Sequence, residues 1–279
     1  LYTNTLNFLD LSKIPIHASK RGKEFPLIVA GGHATYNPEP MAPFIDAFML
    51  GDLEPVNEQL IEEGLLAPLT RASRLETLDS FPWMWVPAVH TDKSVSLAPK
   101  GELDDYFYPI EQVIQQVEHD EPFHGVFGKS FLLEAVRGCY RSCSFCLTSR
   151  LNRPKRDRSL KKLQEIYRAG IERCHVDKVT IIGSGISDYN SLENLCWGMI
   201  EDCLSFSLPA LRADKLTINL AQALVSSKQR TVTTAPEAGT EKLREAICKG
   251  VRDEEILQFI QIASDEGLTN IKAYFILGL

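Results

Sequence analysis

Three cysteines fall within eight residues in the run Arg137-Gly138-Cys139-Tyr140-Arg141-Ser142-Cys143-Ser144-Phe145-Cys146, with three and then two residues between them. A loop of that spacing can wrap three thiolates around one face of a compact metal centre. Soft thiolates suit either zinc or an iron–sulfur cluster, and a structural zinc site is normally closed by a fourth protein ligand. His124 lies well upstream and His175 well downstream, neither at a zinc-knuckle spacing. A 4Fe-4S cluster held by only three thiolates leaves one iron open to an external ligand, which is an arrangement for chemistry rather than for scaffolding.

The elements that must position this loop can be read on either side of it. Phe131-Leu132-Leu133-Glu134-Ala135-Val136 is an apolar run of strand length that enters Gly138. From there the pattern alternates. A helix near Ser159 to Cys174 is followed by a strand at Val179 to Ile182 and a helix from Ser191 to Cys203. A short strand near Ser205 to Leu208, a helix from Asp214 to Ser226 and a strand at Thr231 to Thr234 come next. Helices between Thr240 and Glu266 and a strand at Asn270 to Leu277 complete the series. Repeated βα units predict a parallel sheet.

In a parallel βα barrel, ligands lie at the C-terminal ends of the strands. The remaining motifs fall there. Gly183-Ser184-Gly185 follows the second strand, Leu211-Arg212-Ala213-Asp214 the third, and Ala235-Pro236-Glu237-Ala238-Gly239 the fourth, with Leu243 to Gly250 a few residues on. Asp214 reads as the N-cap of the next helix, and Glu237 could serve the same purpose for the helix beginning near Thr240.

The cysteine spacing, with aromatic Phe145 just before the third cysteine, resembles the signature of the radical S-adenosylmethionine superfamily. The Glu237 and Lys249 segments resemble those of its cobalamin-domain and methylthiotransferase-like branches, including members described only as iron–sulfur oxidoreductases. The resemblance implies an α/β chain: a partial parallel (β/α) barrel of the radical S-adenosylmethionine type, preceded by part of a Rossmann-like, cobalamin-binding-like domain. It implies that Cys139, Cys143 and Cys146 hold a 4Fe-4S cluster whose open iron is chelated by S-adenosylmethionine, which is cleaved reductively to a 5′-deoxyadenosyl radical. Phe145 would then line the adenine, and the Gly183-Ser184 turn would pair with the methionyl amino group. Arg212 would reach the cofactor carboxylate bidentately, and Glu237, neutralised by Lys249, would accept hydrogen bonds from cofactor hydroxyls. An electron donor of the flavodoxin or ferredoxin type is the implied partner. The alternatives are a radical methyl- or methylthiotransferase acting on RNA or protein, and a non-catalytic module that binds zinc or an iron–sulfur cluster. The superfamily barrel has six strands and five are counted here, as expected of a chain cut at Leu279; the start at Leu1, without methionine, points the same way.

The front of the chain is expected to divide at residues 64 and 128. In 1–64, Leu27 to Ala30 ending at Gly31-Gly32 predicts a buried parallel strand, Ala47 to Leu50 a second, and Pro55 to Gly64 a helix. Gly31 to Thr35, Asn37 to Pro40 and Gly51-Asp52 resemble the C-terminal half of a cobalamin-binding-like domain. The Asp-x-His-x-x-Gly loop that carries the cobalt ligand is missing from the chain, so cobalamin is not expected to be held here, and His33 reads as a solvated loop histidine. Residues 65–128 read as a proline-rich linker with a helix only at Ile110 to Glu118, whose Trp83 and Trp85 pack it onto a domain. Residues 129–279 are the barrel.

With 30 Lys and Arg against 37 Asp and Glu, the net charge is -7, so the surface as a whole should not attract nucleic acid. One local exception follows the cysteines: Arg150, Arg153, Lys155, Arg156, Arg158, Lys161 and Lys162, a stretch that could dock RNA, a phosphorylated substrate or an acidic protein. The seven cysteines are odd in number and not spaced as a disulfide framework, which suits a reducing cytoplasm. No apolar run approaches the length of a membrane span.

Overall fold

In the computed structural model the described residues are 2–67, 70–90, 94–115, 117 and 125–279. They form two compact units, Leu1–Gly101 and Glu102–Leu279. The expected linker 65–128 is therefore divided between them. Its first part folds because α3 (Arg71–Ser80), capped by Thr70, carries Leu78 into the first core. Its second part has no helix at Ile110–Gln115, and Glu118 lies outside the described residues.

The first unit is small. Helix α1 (Tyr2–Leu11) precedes β1 (Val29–Ala30) and β2 (Ala47–Met49), which pair in parallel, and β3 (Met84–Trp85) joins β2 antiparallel. Helix α2 (Asn57–Gln59) continues into a wider-wound turn at Leu60–Leu66. β1 is an edge strand and Val29 is 38% exposed, so the strand expected to be buried is covered on one side only. Phe81 stacks on Trp83 and Phe48 on Trp85, which makes the aromatic run part of this unit's core. Asp46 is buried and shared by Arg21 and Arg71 at 3.1 and 2.7 Å; a buried carboxylate persists only when so paired.

The second unit carries the parallel sheet. Its elements are β4 (Phe131–Arg137), α4 (Thr148–Leu151), β5 (Arg156–Asp157), α5 (Leu160–Cys174), β6 (Lys178–Gly183), α6 (Leu192–Glu201) and β7 (Ser205–Ser207). They continue with α7 (Ile218–Ser226), β8 (Thr231–Glu237), α8 (Glu241–Ala246), α9 (Asp253–Asp265) and β9 (Asn270–Phe275). β4, β6 and β7 pair in parallel, a parallel bridge from Leu211 to Thr234 carries the order on to β8, and β8 pairs in parallel with β9. All five expected parallel strands are present, in the expected order. β5, which the sequence reading missed, is a two-residue antiparallel addition on β4.

Alternation along β4 explains the layering. Phe131, Leu133 and Ala135 are fully buried and join Leu163, Ile166 and Tyr167 of α5, in one core with Val179 and Ile181 of β6 and Leu195 and Met199 of α6. Each large apolar side chain so buried contributes roughly 1.5–3 kcal/mol. Helix α5 is capped by Ser159, whose hydroxyl accepts from the Lys162 amide at 3.2 Å. Gly170 lets α5 approach the sheet: a Cβ there would lie 2.2 Å from the Phe131 ring.

Candidate active site

The loop after β4 starts with a forced turn. Gly138 has φ +85°, and a Cβ on it would stand 2.0 Å from the Asn152 carbonyl oxygen, so no other residue fits. Cys139, Cys143 and Cys146 follow, none in a disulfide, with Cys143 buried. Burial pushes the Cys143 thiol up, and the nearby charges of Lys249 and Arg212 oppose that rise while Cys146 and Cys139 add to it. No three His, Cys, Asp or Glu side chains among the described residues converge closely enough to hold one metal ion.

Four strand ends supply the walls. After β4 comes the cysteine loop itself. After β6 come Gly183-Ser184-Gly185, where a Cβ on Gly185 would lie 3.3 Å from Cys139 Sγ, and then the turn Ile186–Asp188. After β7 comes the turn Ala213–Lys215. After β8 come Glu237 and, past α8, the turn to Gly250. The cysteine loop is tied to this last turn, because the Ser144 amide donates to the Ile247 carbonyl at 2.9 Å.

Glu237 and Lys249 form an ion pair, Nζ to Oε1 at 3.0 Å, both side chains largely buried. Glu237 sits at φ +70°, a backbone region costly for a residue with a side chain, where the β8–β9 register shifts. Strain of this kind persists only where the surroundings impose it. It is no helix cap, since Thr240 caps α8 with its own hydroxyl on the Leu243 amide. Likewise Thr217, and not Asp214, caps α7.

Arg212 is placed beside the site and donates to neighbours from all three of its nitrogens. Its Nε donates to Asp214 at 2.8 Å, Nη1 to the Lys249 carbonyl at 3.0 Å, and Nη2 to the Gly250 carbonyl at 3.1 Å. It braces the turn that presents Lys249. Phe145 is 40% exposed beside Cys146, and Tyr274, on β9, lies under Lys272.

The sequence reading missed the group that holds the first arm of the loop. Arg141 makes a bidentate pair with Asp188, Nε to Oδ2 at 3.0 Å and Nη2 to Oδ1 at 2.6 Å, and its guanidinium lies over the Tyr140 ring. Lys215 approaches Asp188 at 3.6 Å, and Arg141 approaches Asp214 at 3.9 Å. Burial by itself would raise the Asp188 carboxyl, but these hydrogen bonds outweigh it and hold the group below the ordinary carboxylate range. A cavity of about 980 Å³, bordered by Tyr140, Arg153, Asp157, Asp188 and Asn190, lies against this clamp. Nothing local in the sequence links Asp188 to Arg141, 47 residues away.

The basic stretch that could form a docking face is broken up. Arg156 and Arg158 are buried, Arg158 donating to the Leu103 carbonyl and lying over the Tyr108 ring. Lys155 pairs with Asp157, and Arg153 caps the carbonyls of Tyr140 and Arg141 at 3.1 and 2.8 Å. Residues between a strand, a cluster loop and a helix start serve those elements first; only Arg150, Arg153 and Lys161 are exposed.

Comparison with known proteins agrees with this construction. Residues 133–279 match the radical SAM superfamily model, and residues 1–87 match the N-terminal domain model of radical SAM proteins. The chain belongs to the radical SAM superfamily. It is 34% identical over 255 residues to an uncharacterised protein of Methanocaldococcus jannaschii, covering 91% of this chain and 52% of that one, so it spans about half the length of that relative. In fold it is similar to the cobalamin-dependent radical enzyme OxsB, with a TM-score of 0.58 at 16% identity over 99% of this chain and 38% of the other. It is also similar to the radical methyltransferase TsrM of Kitasatospora setae, with a TM-score of 0.59 at 13% identity over 88% and 49%. The OxsB structure holds aqua-cobalamin and S-adenosylmethionine, and one TsrM structure holds cobalamin and a 4Fe-4S cluster. No described helix is long and apolar enough to cross a membrane.

Proposed function

We propose that this chain is the core of a radical S-adenosylmethionine enzyme, with Cys139, Cys143 and Cys146 holding a 4Fe-4S cluster. The observation that carries the reading is the setting of the cysteine loop: it leaves the C-terminal end of a parallel strand, packs Cys139 against the Gly183-Ser184-Gly185 turn and is tied by Ser144 to the turn that carries Lys249. When bound, the cluster would supply one electron to cleave S-adenosylmethionine to a 5′-deoxyadenosyl radical. The chain's own residues orient and enclose. Lys249 holds the Glu237 carboxylate as an acceptor for ribose hydroxyls, and the Gly183-Ser184 turn offers backbone acceptors to an amino group. Phe145 offers a face to adenine. Arg212 serves by fixing the Lys249 turn. Orientation in a walled site matters because a radical open to water reacts without selectivity.

A methyl-transfer reading draws support from the cobalamin-dependent proteins of similar fold, and it needs the same cluster. The two part on one addition. Anaerobic reconstitution with iron and sulfide, dithionite reduction with S-adenosylmethionine, and assay of 5′-deoxyadenosine with and without cobalamin are run on a full-length protein and on Cys143→Ala. Cleavage lost in the variant is expected. A full-length protein that takes up zinc, develops no iron chromophore and cleaves nothing would overturn the reading in favour of a structural module.

A further inference from the structure

We infer that Asp188 is a positioning residue of the site: its carboxylate, clamping Arg141, sets the arm between Cys139 and Cys143 in its metal-binding arrangement before any metal arrives. The inference rests on the function proposed above.

The arm from Cys139 to Ser142 belongs to no helix or strand, so it has no ladder of its own to hold it. Its conformation is imposed from outside on two sides. Arg153 takes the carbonyls of Tyr140 and Arg141 and the Ser142 hydroxyl, at 3.1, 2.8 and 3.0 Å. Asp188 takes the Arg141 guanidinium with both carboxylate oxygens, and its own side chain is only 1% exposed. Held this way, the Arg141 amide lies 3.4 Å from Cys139 Sγ as a donor. Hydrogen bonds to cluster sulfurs raise the reduction potential, so the clamp acts on the electronic setting of the first cysteine as well as on its place.

The carboxylate also links walls. Asp188 stands in the turn after β6 and reaches Lys215 in the turn after β7. Arg141 reaches Asp214, whose carboxylate is bound by Arg212, the brace of the Lys249 turn. Removing the charge at Asp188 therefore frees the arm and loosens its registry with the Glu237–Lys249 pair. A lysine at position 141 is not equivalent to arginine, because an ammonium cannot make the two parallel bonds that fix the plane of the fork.

The test compares the apo and cluster-loaded protein for wild type, Asp188→Asn, Arg141→Lys and the control Asp202→Asn. In the apo protein, iodoacetamide labelling followed by peptide mass spectrometry reads the rate at Cys143 relative to Cys146. Asp188→Asn and Arg141→Lys should raise that ratio several-fold and lower affinity for iron by about 10-fold or more. The midpoint potential of whatever cluster they hold should fall. Asp202→Asn should match wild type in all three. Wild-type labelling ratios, iron affinity and potential in both clamp variants, with wild type loading normally, would overturn the inference and leave the function standing. A wild type that binds no iron–sulfur cluster would overturn both.

Discussion

The dipeptide Tyr-Arg occurs twice in the second unit, and each copy grips an aspartate. Arg141 holds Asp188 with both oxygens; Tyr167 and Arg168 hold Asp202, with Tyr167 at 2.6 Å and Arg168 Nε at 2.7 Å from Oδ2. In both, the guanidinium lies over the neighbouring tyrosine ring, at 4.9 and 5.7 Å. The local chemistry is the same and the settings are opposite. Asp202 ends α6, Arg168 sits in α5, and both helices are already fixed by Leu163, Ile166, Leu195 and Met199. There the clamp is an exposed addition to a contact that apolar packing has made. Around Asp188 the clamp orders an arm with no secondary structure or apolar packing of its own, sharing that task only with Arg153. An ion pair matters in proportion to how little else determines the geometry, and to how far it is shielded from water.

A glycine beside each clamp gives the sharpest contrast. Gly138→Ala drives a Cβ into the Asn152 carbonyl at a positive φ, and both parts are backbone that cannot swing aside. A loss of about 2–4 kcal/mol and of cluster binding is expected, seen by denaturant unfolding and by the iron chromophore. Gly170→Ala in α5 meets the Phe131 ring. It should cost about 1–3 kcal/mol of overpacking, offset by up to about 1 kcal/mol of better helix propensity, and leave iron binding intact. Equal effects on iron would break the comparison.

Acid titration is a gentler probe. Both aspartates have carboxyl groups held below the ordinary range, Asp188 against its burial and Asp202 by hydrogen bonds from Arg168 and Tyr167. A depressed carboxyl stabilises the fold above its unfolded value, near about 4, and that contribution is lost as the pH falls through the lower folded value. Urea midpoints of Asp188→Asn and Asp202→Asn should therefore lie below wild type at neutral pH and converge on it in acid, with the larger difference for Asp188. Smallest of all is the effect of Asp202→Asn on thermal stability, where a melting shift within about 2 °C is expected. A larger shift would show that the helix clamp is more than an addition.

Much of the site was legible because its signals are local. Three cysteines at loop spacing, a glycine after a strand, and Glu237 and Lys249 in short motifs after strands all declare themselves within a dozen residues. Residues whose use depends on a distant partner were harder. Arg212 carries the right group for a cofactor carboxylate, but only the fold shows that Asp214 and two carbonyls occupy it. Arg156 and Arg158 have the charge of a docking face, yet they lie inside.

By itself, then, the sequence determined the alternation of strands and helices, the parallel sheet, and the loop that carries the thiols, since hydrophobic periodicity and ligand spacing are properties of neighbouring residues. Tertiary structure alone decided which charges are free and which are spent, where the domains divide, and that Asp188 reaches back to Arg141. Those depend on which surfaces meet across the sheet, and burial and pairing are relations between segments that no single segment contains.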